Sequence, residues 1–278
     1  MIPTTPIVQQ DLLTSSLVDA HAVDTTCLKR GECSLVCFTT TAKRVNATHH
    51  TIRSLREQSV PNRAAIVLPP EAELRPFFAS LNTVVVRLQQ DFGPASKLVG
   101  CLQAAEELQV PPTGHIAFTD DDWIRHSGWL RAVEGANLAT GEVAAFSRTG
   151  LPNGGYDNRV RGSYGYAATR ATFGPAGSFL RFLTNASPYC RYVDDVLITA
   201  YLRGVRRARV RSHPYPDHEW NRLMGDNPSW MANRLERLSA FGAARQRDNR
   251  VCNTTLGEMV GLNPLEWIVS ERQTSRRL

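Results

Sequence analysis

Four short apolar runs separated by stretches of helical character constrain this chain more than any other feature of its sequence. Ser34–Thr39 (SLVCFT), Ala64–Leu68 (AAIVL), Thr83–Leu88 (TVVVRL) and Gly114–Thr119 (GHIAFT) are short and mostly apolar, the signature of fully buried strands. Between them Ala47–Gln58, with Asn46 placed to cap it, then Glu71–Leu81 and Ser96–Leu108 can supply helices; in the last, Leu98, Cys101, Leu102, Ala105 and Leu108 recur at helical spacing. Pro61-Asn62 and Pro69-Pro70 punctuate the turns. Strands alternating with helices at this rhythm predict an α/β fold, a mainly parallel sheet with helices on both faces.

Sheets of that kind bind ligands at the carboxyl ends of their strands, which directs attention to the loops Thr39–Asn46, Asp91–Lys97 and Asp120–Asp122. The fourth strand stops at three consecutive aspartates. Adjacent carboxylates repel unless water screens them or a positive charge neutralises them. In extended chain Asp120 and Asp122 share a face while Asp121 points the other way. Hard oxygen ligands of this type suit Mn²⁺ or Mg²⁺, whose remaining coordination positions substrate phosphates can fill. The alternative is an acidic surface turn capping a helix over Ser127–Glu134. In the second loop, Asp91-Phe92-Gly93-Pro94-Ala95-Ser96-Lys97-Leu98, a Gly-Pro turn before a helix is expected to leave backbone N–H groups open to phosphate, with Lys97 adding a point charge; the plainer alternative is a capped loop.

Further along, Val143–Ala168 is Gly-rich and aromatic and reads as short strands and loops suited to an acceptor floor or lid. Asp194–Arg203 forms a helix stopped by Gly204, then Ala208–Arg211 leads to His213-Pro214. The acidic pair Asp194-Asp195 suits a helix N-terminus, or a carboxylate that takes a proton from an acceptor hydroxyl. His213 is either a satisfied histidine or a metal ligand. Residues 1–33 read as an irregular lead-in, 34–216 as the catalytic domain, and 217–278 as a mostly helical extension packed on it, with Ser229 as a cap.

Lys plus Arg exceeds Asp plus Glu by 32 − 26 = +6, and the pI is about 9.2. This suits an anionic ligand such as a nucleotide diphosphate, a nucleic acid or an acidic membrane face without choosing among them. Much of the excess lies in Arg203, Arg206, Arg207, Arg209 and Arg211 and again in Arg272, Arg276 and Arg277. Peripheral membrane contact through these arginines is compatible with the sequence. No stretch approaches the roughly 18–20 apolar residues of a membrane span, so a cytoplasmic location is the default expectation. The six cysteines show no CxxC pair and are expected to be mostly buried thiols. The sequons at Asn46, Asn185 and Asn253 are expected to be chance matches.

Taken together, the segments resemble the family 2-like glycosyltransferases of GT-A fold. The resemblance rests on Thr40, Thr41 and Arg44 in the first loop, DFGPASKL at Asp91–Leu98, FTDDDW at Phe118–Trp123, RGSYGY at Arg161–Tyr166 and VDDVLITAYLRG at Val193–Gly204, in that order. It covers roughly residues 34–213, and the combination of D-x-G-P-x-x-K-L with D-D-D is the specific part. It implies transfer of a sugar from a nucleotide diphosphate donor, with a UDP-sugar favoured, to a hydroxyl of a glycan, glycolipid or glycoprotein. Thr40, Arg44 and Asp91 would line the nucleotide pocket, with Lys97 near the donor. Asp120, with Asp121 beside it, would face the ribose or metal; Asp122 would bind the metal and His213 complete its shell. Asp195 would be the base of an inverting displacement, supported by Asp194. No nucleic-acid partner is expected. Two other classes fit parts of the sequence. A nucleotidyltransferase shares the scaffold and the need for Mg²⁺, but TTTAKR stands where its Gly-rich loop would be. A non-catalytic module could bind carbohydrate or nucleic acid through the basic, aromatic surface.

Overall fold

The computed structural model describes residues 17–19, 23–40, 45–70, 72, 83–121, 125, 127–131, 140–147, 165–186, 190, 194–214, 252, 255–256 and 258–261. Strand β1 (Leu17–Asp19) and helix α1 (Thr26–Arg30) come first, followed by β2 (Ser34–Thr39), α2 (Val45–Arg56), β3 (Asn62–Leu68) and β4 (Val84–Arg87). A 3₁₀ turn at Gly93–Ala95 leads into α3 (Ser96–Glu107), then β5 (His115–Thr119), β6 (Glu142–Ser147) and β7 (Gly165–Thr169). The short α4 (Arg170–Phe173), α5 (Ala176–Asn185), α6 (Asp194–Ala200) and β8 (Arg209–Pro214) complete the order.

The eight strands form one sheet in the order β1-β4-β3-β2-β5-β7-β6-β8. The centre, β4-β3-β2-β5, is parallel, and β8 is parallel to β6; β1 and β7 run against their neighbours. The chain leaves β2 for β3 and β4 on one side and then crosses to β5 on the other. The carboxyl ends of β2 and β5 therefore flank the point where strand order reverses, the place such sheets open a crevice.

Alternation along the strands divides the core in two. Leu35, Cys37, Val67, Ile116 and Phe118 pack with residues of α3, α5 and α6 on one face. Val36, Phe38, Ile66, Leu68 and Ala117 pack with Ile52 and Leu55 of α2 and with Trp129 and Leu130 on the other. On the first face α3 lies close against the sheet: a Cβ at Gly100 would stand 2.5 Å from a methyl of Val67.

The α/β expectation, a mostly parallel sheet with helices on both faces, therefore holds, and four differences are informative. Part of the supposed irregular lead-in is regular: Leu17–Asp19 pairs with β4, and Thr26–Arg30 is helical. Asn46 lies inside α2, which begins at Val45, and does not cap it. Gly204 does not stop α6, which passes into a π-helical turn over Tyr201–Val205. A Cβ there would meet Val260 at 2.4 Å, so the glycine admits the C-terminal segment. The helices expected over Glu71–Leu81 and after Ser229 fall outside the described residues.

The fourth difference concerns the cysteines. All six are paired, as Cys27–Cys33, Cys37–Cys101 and Cys190–Cys252, correcting the expectation of buried thiols. Cys37 of β2 and Cys101 of α3 meet because their elements pack face to face, a juxtaposition spacing alone does not reveal. Paired cysteines are the pattern of oxidising compartments and weigh against the cytoplasmic default. Among the described residues, no helix is long and apolar enough to cross a membrane. In the chain-entropy account, loops of 64 and 62 residues each contribute about 4 kcal/mol through the unfolded state. Denatured protein should accordingly take up no iodoacetamide until reduced, then label at all six cysteines, and the reduced form should melt lower. Alkylation of Cys37 or Cys101 without reductant would contradict the pairing.

Candidate active site

Two sets of polar side chains gather at the switch point, one on each face of the sheet. They are anchored by neighbouring residues, Asp120 and Asp121, which follow β5 and diverge.

Asp121 turns towards α2. Its carboxylate is buried and accepts a hydrogen bond from Thr40 Oγ1 at 2.8 Å, while Thr40 shares a second hydrogen bond with Thr48 Oγ1 at 2.7 Å. Thr51 Oγ1 donates to the Asp121 backbone carbonyl at 2.6 Å. A buried carboxylate is tolerated only when hydrogen-bonded in this way. The Thr-rich composition of α2 thus has a local purpose: its first turns present hydroxyls to the strand end. Ser54 Oγ accepts from the N–H of buried Arg125, and the Arg125 guanidinium lies 5.0 Å from the Trp129 ring centre. These contacts hold Arg125 against α2.

Asp120 turns towards α3. Lys97, in the first turn of α3, donates from Nζ to Asp120 Oδ1 at 2.5 Å and is also paired with Asp194, the first residue of α6. The lysine side chain is 3% exposed, Asp194 13% and Asp120 34%, so the bridge is buried and its accessible edge is Asp120. Burial opposes the ammonium charge, but the attraction of Asp120 and then Asp194, with their hydrogen bonds, outweighs it and holds the lysine above its ordinary pKa. A raised folded-state pKa stabilises below the unfolded value and is lost only as pH rises towards the folded one. The bridge is therefore intact from acid to neutral pH as far as Lys97 is concerned.

The elements that carry this bridge are themselves tied together. Phe118, two residues before Asp120, stacks on Tyr166 of β7 with ring centres 5.2 Å apart, and the Tyr166 hydroxyl bonds Thr199 Oγ1 of α6 at 2.7 Å. Tyr201, just beyond α6, donates to the Phe173 carbonyl at 2.9 Å. At Gly165, opposite Thr119 in the sheet, a Cβ would come within 2.8 Å of the Phe118 carbonyl oxygen. Only glycine permits β7 to pair so closely with the strand end that carries the aspartates.

The site residues expected from sequence thus separate. Asp120, Lys97 and Asp194 are brought into contact, so that Lys97 supplies a positive charge beside the aspartate triplet. Thr40 and Asp121 are bonded to each other and buried on the opposite face. Asp91 Oδ1 accepts from the Gly93 N–H at 2.7 Å, and Ser96 Oγ accepts from the Phe92 N–H at 3.1 Å. The Phe92 and Gly93 N–H groups of this turn are therefore used within the loop, as the capped-loop alternative expects. The turn packs against α6. Asp195 follows Asp194 in α6, and His213 lies on β8 opposite Phe146 of β6, but their side chains, like Arg44 and Asp122, fall outside the described residues. Among the described residues no group of three or more His, Cys, Asp or Glu could hold a metal.

No protein-family model and no curated protein matches the chain. Its likenesses to solved structures include a mannosyltransferase from Pyrobaculum calidifontis in complex with GDP-Man and Mn²⁺ (13% identity, TM-score 0.45, 86% of this chain and 78% of that one). A putative nucleotide-diphospho-sugar transferase from Desulfovibrio desulfuricans has 12% identity and TM-score 0.46, over 81% of this chain and 98% of that one. A nucleotidyl transferase from Methanothermobacter thermautotroptrophicus has 13% identity and TM-score 0.45, over 79% and 98%. At such identity and score these likenesses do not discriminate between sugar transfer and nucleotide transfer.

Thr40→Val keeps the shape of residue 40 but removes a donor from a buried carboxylate. It should destabilise the fold by about 1–3 kcal/mol in urea unfolding; an unchanged midpoint would mean that Asp121 does not depend on Thr40.

Proposed function

We propose that the protein is a glycosyltransferase of GT-A type that moves a sugar from a nucleotide diphosphate donor, a UDP-sugar in the favoured case, to the hydroxyl of a glycan, glycolipid or glycoprotein. The observation that supports this reading best is the Lys97 bridge. It joins the end of β5, where the aspartate triplet begins, to the start of α6, where the second acidic pair stands, at the switch point of a mostly parallel sheet. Separate acidic turns on the surface would have no reason to share one buried lysine. The sequence motifs supply the rest, since they assign donor contacts to the first acidic segment and acceptor activation to the second.

In this reading Asp120 presents its accessible edge to the donor. Asp122, with His213, would hold Mn²⁺ or Mg²⁺ together with the donor diphosphate, and that ion would offset charge on the departing nucleotide. Asp195 takes the proton of the acceptor hydroxyl as its oxygen attacks the anomeric carbon. The bond from that carbon to the diphosphate breaks on the opposite side, and the configuration inverts. Thr40 and Asp121 act indirectly, by fixing the loop ends between which the nucleotide would lie. The disulfides favour work in an oxidising compartment.

A thermal-shift panel of UDP, GDP, CMP and ADP, each with and without Mn²⁺, tests the class directly, because a ligand of the native state raises its apparent stability. One nucleoside diphosphate should stabilise the protein in a Mn²⁺-dependent way; no response to any of them would remove the reading. Asp195→Asn should retain that nucleotide response while sugar transfer falls about a hundredfold or more, and Asp122→Ala should lose the Mn²⁺ dependence. Unimpaired transfer by Asp195→Asn would assign the base elsewhere.

A further inference from the structure

We infer that Lys97 is a positioning residue for the transfer step, a buried counter-ion that fixes α6 against the donor side of the site, and that it does not touch the donor. This rests on the glycosyltransferase reading above and departs from the expectation that Lys97 adds a point charge for phosphate.

Three observations carry it. The first is occupancy of the ammonium: Nζ is shared between Asp120 and Asp194, and the side chain is 3% exposed. A lysine so enclosed presents no charge to a solvent-borne diphosphate. The second is how firmly α3 is placed. Cys101 stands four residues after Lys97, on the same face of the helix, and its disulfide to Cys37 fastens that face to β2. Cys37 is registered beside Phe118 in β5, two residues before Asp120. Gly100, between them, lets α3 approach Val67. The ammonium is therefore delivered to a fixed position beside the strand end.

The third observation is charge balance. Asp120 and Asp194 come from strand and helix segments with no covalent reason to be neighbours, and without a cation between them they would repel. One lysine leaves the trio with a net charge of −1, so its removal turns an attraction that draws the start of α6 inward into a repulsion that drives it outward. Asp195 follows Asp194 in the same helical turn, so displacement of Asp194 moves the residue assigned as base. Lys97 thereby couples the donor edge of the site, at Asp120, to the acceptor side, at α6.

The test is a KM-against-kcat split on the full, oxidised chain, with UDP plus Mn²⁺ as the binding probe and UDP release from a panel of UDP-hexoses as the turnover readout, below the melting temperature of every variant. For Lys97→Met, the dissociation constant of UDP should stay within about threefold while kcat falls about a hundredfold. Should Lys97→Met fail to fold, Asp194→Asn serves in its place: it leaves the balanced Lys97–Asp120 pair, and should lower kcat at least about tenfold with UDP affinity unchanged. A rise of tenfold or more in the UDP dissociation constant with kcat preserved would place Lys97 at the donor and overturn the inference. So would variants that melt lower but turn over normally, since the bridge would then be purely structural. An inactive wild-type chain that binds no nucleotide would instead sink the glycosyltransferase reading, a result distinguishable from either.

Discussion

A single buried lysine organises the switch-point end of the sheet. Asp120 and Asp194 are drawn to one ammonium that has been removed from water, and in that setting the interaction is unforgiving. Removing Lys97 would leave two carboxylates without their cation, and an uncompensated buried charge typically costs about 3–5 kcal/mol. The aspartates after β5 and those at the start of α6 are therefore not independent features. Their relative position is set by α3, whose own position is set by its disulfide to β2 and by the absence of a side chain at Gly100.

The opposite face is built on different chemistry. There Asp121 is held by threonine hydroxyls, which satisfy a buried carboxylate without adding charge. Adjacent residues of one acidic run thus have separate fates, as expected when an extended chain sends successive side chains to opposite faces. One aspartate reaches solvent beside its lysine; the next is sealed beneath α2. The two clusters flank the switch point from opposite faces of the sheet, and in the proposed reading the donor would lie at the strand ends between them.

The parts of this arrangement encoded locally could be read from the sequence. Val84–Arg87, Ser96–Glu107 and His115–Thr119 appear within a residue or so of where apolar runs and helical spacing placed them, because strand and helix periodicity are local properties. The resemblance to a known pattern assigns both acidic motifs to one site, and Asp120 and Asp194 share Lys97. Long-range pairings left no such trace. Lys97 looks in sequence like an exposed cation after a turn, and nothing local announces partners 23 and 97 residues away. The disulfides close loops whose ends carry no common spacing. Three-residue β1 is too short to show a period, and the antiparallel insertion of β7 depends on Gly165 fitting against Phe118, which only the paired strands reveal.

In the proposed reading the carboxyl ends of β2 and β5 hold the diphosphate of a nucleotide through a divalent cation. Anomalous diffraction at the manganese edge, from crystals grown with UDP and Mn²⁺, addresses it most directly. The account predicts one manganese peak at coordinating distance from Asp122 and the diphosphate oxygens, with Lys97 still bonded to Asp120 and Asp194. A nucleotide bound away from these strand ends, or bound at them with Lys97 swung onto its phosphates, would contradict the account.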